Sequence, residues 1–250
     1  MSTILGCNIG EINYESATQL ILGLARKRES YYVCVANVHM VMEAYDDAEF
    51  RQIVNAADLV TPDGMPLVWV MRLQGLRQQE RVYGPALTQF VLEAANREGI
   101  PVGFYGSTPQ TLEKLKRNVQ ERYPSLKIAY LYAPPFRPLT PEEDEEVVRA
   151  INDSGTRILF VGLGCPKQER WMAAHKGRVQ AVMLGVGAAF DFLAGVKPQA
   201  PRWMQRAGLE WLFRLASEPR RLWRRYLLNN PRFVLLVLLQ WSRLRRFERD

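Results

Sequence analysis

Asp58-Leu59-Val60-Thr61-Pro62-Asp63-Gly64-Met65-Pro66-Leu67-Val68-Trp69 is the stretch from which the rest of the chain can be read. An apolar run, a Pro-Asp-Gly turn and a second apolar run spell the end of a short buried strand and the start of a helix. Gly64 suits the turn, and Pro66 suits the first helical position, where its missing N–H would be unpaired in any case. Asp63 is thereby expected at the carboxyl end of a strand, where open α/β sheets carry their sites. A carboxylate there can act as a general base or bind a ligand hydroxyl; it can equally cap the helix that follows. The stretch alone leaves both roles open.

The same pattern repeats on either side. Tyr14 to Arg28 is apolar at Ala17, Leu20, Ile21, Leu24 and Ala25, the spacing of a helix. Tyr31–Ala36 reads as a strand ending at Asn37-Val38-His39, with helical sequence expected over 39–56. Glu80–Pro85 is a polar turn entering a helix over 86–98. From there Val102–Tyr105, Lys127–Tyr132, Arg157–Val161 and Ala181–Val186 read as strands. Between them lie a capped helix start at Gly106-Ser107-Thr108-Pro109 and an acidic-faced helix over Pro141–Asn152. Strands alternating with helices at this spacing imply an α/β fold with a mainly parallel sheet and helices on both faces. The alternation closes by residue 195, so residues 1–195 are read as the catalytic core and 196–250 as a C-terminal helical appendage.

Charge divides the chain at the same place. The net charge is +7, yet residues 197–250 hold 13 Lys and Arg against 4 Asp and Glu, while the remainder holds 20 against 22. A neutral core with a basic appendage points to an anionic partner for the appendage, a membrane surface or a nucleic acid. Phe233–Leu239 is unbroken and apolar, but a spanning helix needs roughly 20 such residues. With Trp223, Trp241, Phe247 and the basic Arg243, Arg245 and Arg246, it suggests segments lying in a membrane interface. The alternative, an α/β binding module whose tail holds nucleic acid, rests on charge alone, with no nucleic-acid fold motif to support it. Three dispersed cysteines without a CxxC pair, and no basic-then-apolar N-terminal run, fit a reduced cytoplasmic setting.

Several cofactor readings fail on spacing. Gly162-x-Gly164 has Lys167 where a dinucleotide fingerprint needs its third glycine, and Gly185-x-Gly187 has Phe190 there. No GxxxxGK[ST] phosphate loop or DxD pair occurs, and His39 and His175 are too few and too distant for a metal cluster, so neither cofactor nor metal is expected. The loop Gly164-Cys165-Pro166-Lys167-Gln168-Glu169 is more informative. Its glycines allow backbone N–H groups to approach a ligand, and a helix starting near Pro166 aims its positive end the same way. Gly106, Gly164, Lys167 and Gln168 are accordingly candidate binding residues. Arg214, Arg221 and Arg224 follow at helical spacings of seven and three, with Pro219 standing as a break between the first and the other two.

Asn37-Val38-His39, Thr61–Pro66, Glu80-Arg81-Val82-Tyr83-Gly84, Val161–Glu169 and Gly185–Phe190, in that order, resemble the WecG/TagA/CpsF family of bacterial glycosyltransferases. Arg202–Leu215 and Glu218-Pro219-Arg220-Arg221 extend the resemblance over nearly the whole chain. The resemblance implies a Rossmann-like core whose C-terminal appendage completes the site at the cytoplasmic face of the plasma membrane. It implies inverting, metal-independent transfer of a sugar from a UDP-sugar to a polyprenyl-diphosphate-linked acceptor. By the same resemblance Asp63 is the base, with Asn37, Arg81 and Gln168 lining the pocket. Some members carry Thr two residues before the Asn, where this chain has Val35. N-acetylmannosamine, its uronic acid and glucose all fall within what the family transfers, and a homo-oligomer is compatible with the sequence.

Overall fold

The computed structural model describes residues 1–242; the expected interfacial residues Arg243, Arg245, Arg246 and Phe247 lie outside them. The chain begins with an antiparallel hairpin, β1 (Ser2–Ile4) and β2 (Cys7–Ile9). No strand is expected there from the sequence, because its turn is Leu5-Gly6 rather than Asn-Gly or Asp-Gly. Leu5 and Gly6 both take positive φ (49° and 85°), as a two-residue hairpin turn demands. Leu5 is fully buried, which offsets the backbone cost of that conformation.

After α1 (Tyr14–Lys27) come β3 (Tyr31–Ala36), α2 (Val38–Asp46), α3 (Ala48–Asn55), β4 (Leu59–Pro62), α4 (Met65–Leu73) and α5 (Gly84–Glu98). The helical sequence expected over 39–56 forms two helices. Asp47 is extended and its side chain accepts from the Phe50 N–H, so it caps α3 and interrupts the run. The alternation continues through β5 (Val102–Gly106), α6 (Pro109–Arg122), β6 (Ile128–Tyr132), α7 (Pro141–Asp153), β7 (Ile158–Gly162), α8 (Lys167–Ala174), β8 (Val182–Gly185) and α9 (Ala189–Leu193).

Six strands form one sheet in the order β4-β3-β8-β7-β5-β6, and every pairing is parallel. This is the Rossmann-like α/β architecture. Strand residues alternate between two cores: Ile158 and Phe160 of β7 join the layer of α1, α5, α6 and α9, while Leu159 and Val161 join that of α2, α3, α7 and α8. Both faces are covered, so the strands read as continuous apolar runs rather than alternating ones.

The crossovers reverse direction between β5 and β7. β5 leads through α6 outward to β6, and β7 leads through α8 back to β8. Since α6 and α8 lie in opposite layers, a crevice opens beyond the carboxyl ends of β5 and β7. Gly106 and Gly162 face each other there. A Cβ on Gly106 (φ 127°) would sit 2.6 Å from the Gly162 carbonyl, so only glycine permits this approach.

The appendage consists of α10 (Arg202–Arg206), α11 (Glu210–Ser217) and α12 (Pro219–Trp241). Among the described residues no helix is long and apolar enough to cross a membrane. The apolar run of α12 is divided by helical periodicity. Phe233 and Leu236 are buried in the core of α2, whereas Val234, Leu235, Leu238 and Trp241 are exposed. Two further contacts hold α12 down: Arg232 pairs with Asp46 through both carboxylate oxygens, and Gln240 bonds the β1–β2 hairpin.

Candidate active site

Each core residue of the site owes its place to a strand end. Asp63 directly follows β4, and its N–H donates to the carbonyl of Ala36 at the end of β3 (2.8 Å). Asn37 directly follows β3 and caps α2, its Oδ1 accepting from the Met40 N–H at 3.2 Å. Arg81 lies on the connection from α4 to α5, which is pinned to the same edge. The Val82 N–H donates to the Pro62 carbonyl (2.8 Å), and the Tyr83 N–H donates to the Tyr14 hydroxyl (3.0 Å).

The helix-capping role for Asp63 does not hold. The residue before α4 is Gly64, with no side-chain cap, and it is in ordinary extended backbone (φ −78°), so the turn does not depend on glycine's freedom. Pro66 occupies the second helical position. The Asp63 carboxylate instead faces Arg81, whose Nη2 donates to Oδ1 at 2.9 Å while Nε donates to the Asp63 backbone carbonyl. The Arg81 guanidinium lies over the Tyr83 ring at 4.3 Å.

Burial pushes the Asp63 carboxyl up to about 6; Arg81 opposes this, and Glu210 adds to it. The group is thus ionised above that pH yet keeps an appetite for protons unusual in an aspartate, which suits a general base. The Tyr83 hydroxyl is raised by burial and by the two neighbouring carboxylates. Burial opposes the charge of Arg214, but Tyr226, Glu210, Tyr83 and Asp63 more than offset it, and its pKa is raised.

Two cavities meet at this point. A cleft of about 1270 Å³ runs over the strand ends, lined by Ser107, Gly164, Gln168, Gly187 and Arg221 among others. A second space of about 640 Å³ lies between α4 and the appendage, lined by His39, Pro66, Arg81, Trp211, Tyr226 and Asn230. Asn37, Asp63 and Arg214 line both. Asp63 therefore stands where the two cavities adjoin.

Gln168 is fixed within the larger cleft. Its Oε1 accepts from the Gly164 N–H at 3.1 Å and its Nε2 donates to the buried Glu169 carboxylate at 2.7 Å. Val35 lines the same cleft beside Asn37. Arg214 stands on α11, and Arg221 begins a separate helix after the break at Glu218. Arg221 pairs with Glu218, which also holds Lys197 (3.2 Å).

Three sequence candidates stand apart. Lys167 is exposed at the start of α8, Arg224 is exposed with its guanidinium over the Trp223 ring at 5.3 Å, and neither lines a described cavity. Gly106 serves the close approach to Gly162, and its neighbours Ser107 and Thr108 line the cleft instead. Conversely, Tyr83, Tyr226 and above all Glu210 join the site without being singled out in the sequence. The available signal for Glu210 was an acidic residue inside the basic, aromatic run Arg202–Leu215. Among the described residues no group of three or more His, Cys, Asp or Glu side chains is placed to hold a metal ion.

The sequence profile of the family described as "Glycosyl transferase WecG/TagA/CpsF family" matches residues 2–247. A Bacillus spizizenii protein named N-acetylglucosaminyldiphosphoundecaprenol N-acetyl-beta-D-mannosaminyltransferase is 32% identical over 210 residues, covering 83% of this chain and 78% of the relative. A Bacillus subtilis protein of the same name is 28% identical over 207 residues, covering 82% and 78%. The chain that carries this strand-end carboxylate, the cleft beside it and the basic helices over it belongs to the WecG/TagA/CpsF family.

Proposed function

We propose that the protein transfers an N-acetylmannosamine-type sugar from a UDP-sugar to a polyprenyl-diphosphate-linked N-acetylhexosamine. The transfer is inverting and metal-independent and takes place at the inner face of the plasma membrane. The observation that carries this reading is Asp63, a carboxylate with raised proton affinity at the junction of two cavities. The names of the two relatives supply the sugar and the acceptor.

In this reading the donor occupies the larger cleft and the acceptor sugar reaches Asp63 from the cavity beneath the appendage. Asp63 takes the proton of the acceptor hydroxyl as its oxygen bonds the anomeric carbon. The bond from that carbon to the UDP oxygen breaks, and its electron pair leaves with UDP. A single displacement inverts the anomeric centre. The charge arriving on the diphosphate is met by Arg214 and Arg221, both of which line the donor cleft, and by backbone N–H groups at the glycine-rich strand ends.

The deciding assay is UDP release with a lipid-diphosphate acceptor, comparing the native protein with Asp63→Asn. Folded Asp63→Asn protein with native turnover would remove the base. Activity should survive EDTA; an absolute need for Mg²⁺ or Mn²⁺ would mean that the arginines do not carry the leaving group. Exposed Trp203, Trp223 and Trp241, together with the basic charge of the appendage, support the membrane assignment. Flotation with anionic vesicles at low and high salt tests it, and failure to float at low salt would refute it.

A further inference from the structure

Glu210 is a buried carboxylate in the most basic segment of the chain. It opens α11, and the turn before it is tight. Gly208 takes positive φ (71°), and a Cβ there would lie 2.7 Å from the Trp69 ring of α4. With α11 so seated, Glu210 reaches out of the appendage and into the core. Its Oε2 accepts from Arg81 Nη2 at 2.7 Å, the same nitrogen that donates to Asp63 Oδ1 at 2.9 Å. Burying a charge is costly, and exposed pairs contribute little, so a buried carboxylate that divides a buried guanidinium with another differs in kind from the surface pairs of this protein.

We propose that Glu210 is a positioning residue that couples the seating of α11 to the basicity of Asp63. With α11 docked, Arg81 is shared between two carboxylates and Asp63 keeps its affinity for the acceptor's proton. With α11 away, Arg81 closes on Asp63 alone and leaves it a weak base. The proposal rests on the reading of Asp63 as the base. It also gives the appendage a task beyond covering the cleft, because it makes an open, unseated protein chemically idle.

The surroundings of Asp63 agree with the sign. The charged and titratable groups acting on it or sharing its wall are Arg81 and Tyr83 from the loop before α5, Tyr14 from α1, His39 from α2, Glu210 and Arg214 from α11, and Tyr226 from α12; the larger cleft adds Cys165, Asp191, Lys197 and Arg221. Of these, Arg81 and Arg214 lower its proton affinity and Glu210 raises it, on top of the larger effect of burial. Removing the charge of Glu210 while leaving the two arginines should therefore make Asp63 more acidic.

The test uses the full chain with Glu210→Gln, which can still accept the Arg81 hydrogen bond but carries no charge. A carbon-13 NMR titration of the Asp63 carboxyl should show its midpoint falling by about one pH unit, the scale of one nearby charge. In the UDP-release assay the acid limb of kcat should move to lower pH by the same amount. Because the base is weaker, kcat at neutral pH should fall about three- to tenfold. KM for the donor should hold, and Glu210→Asp should restore the midpoint. Where hydrogen exchange shows α11 unseated in Glu210→Gln, exposure of Asp63 would itself lower the midpoint, so Glu210→Asp, which keeps the charge, then carries the test: its midpoint should match the native one, and a fall there overturns the coupling. An unmoved Asp63 midpoint overturns the coupling. Should Asp63→Asn retain turnover, the base assignment itself fails; should Asp63→Asn be inactive while the Glu210→Gln midpoint stays put, only the coupling fails.

Discussion

Asn37 and Asp63 stand at the ends of neighbouring strands, whereas Arg214 and Arg221 stand on two helices separated by a break at Glu218. The first pair inherits its position from the sheet. Backbone ladders fix β3 against β4 residue by residue, and the Asp63 N–H to Ala36 carbonyl bond extends that register one step into the site. The second pair has no such ruler. Its placement depends on how α11 and α12 dock, through Glu210 on Arg81, the ring contact of Trp211 with Tyr226, and Phe233 and Leu236 in the core of α2. A site built from both kinds of part has a rigid half that carries Asp63 and a docked half that carries Arg214 and Arg221.

The sharpest way to separate these halves is to disable one at a time. Asp63→Asn, in the rigid half, should lower turnover by roughly 10²–10⁴-fold with the fold intact, the usual scale for a lost general base. Arg214→Gln, in the docked half, should cost roughly 10²-fold, as expected for one charge-stabilising donor at a leaving group. Arg224→Gln, although one helical turn from Arg221 in sequence, should stay within about twofold, as for an exposed surface change. Steady-state UDP release measures all three. Equal losses at Arg214 and Arg224 would show that α12 moves to a different seat during turnover.

The smallest effect on chemistry should come from loosening the seat without touching the site. Phe233→Ala removes a buried ring and should destabilise the packing of α12 by about 3 kcal/mol. Hydrogen exchange should rise along α12 while the amides of β3 and β7 stay protected, and turnover should fall only in proportion to the unseated fraction. Exchange that rises equally in the sheet would mean that the two halves unfold as one, and the comparison would collapse.

The rigid half was largely legible in the sequence. Apolar runs punctuated by Thr61-Pro62-Asp63-Gly64 and by Gly162-Leu163-Gly164 gave the strand ends, because parallel strands buried on both faces leave little other pattern. Strand order was not legible, since parallel crossovers of similar length can be arranged in several ways, nor was the place at Asp47 where the helical stretch over 39–56 divides. The docked half was legible as charge but not as position. Periodicity put Arg214, Arg221 and Arg224 on one face only for an unbroken helix; the break at Glu218 sets Arg214 on a different helix from the other two, and Arg224 lies exposed over Trp223. Glu210 was invisible for a related reason: its partner is 129 positions away, and no local pattern announces a contact of that span.

The grip of the N-terminal hairpin on α12 has a consequence for how the molecule comes into being. Gln240 accepts from the Leu5 N–H and donates to the Thr3 carbonyl across 237 positions, both at 3.0 Å. During vectorial synthesis the hairpin and all six strands leave the ribosome before Gln240 is free to reach them, so the sheet can assemble before α12 is seated. A nascent chain therefore passes through a stage in which the strand ends that carry Asn37 and Asp63 are in place and Arg214 and Arg221 have not yet been brought to them. Closure of the clasp fixes the end of α12 to the first strands of the chain.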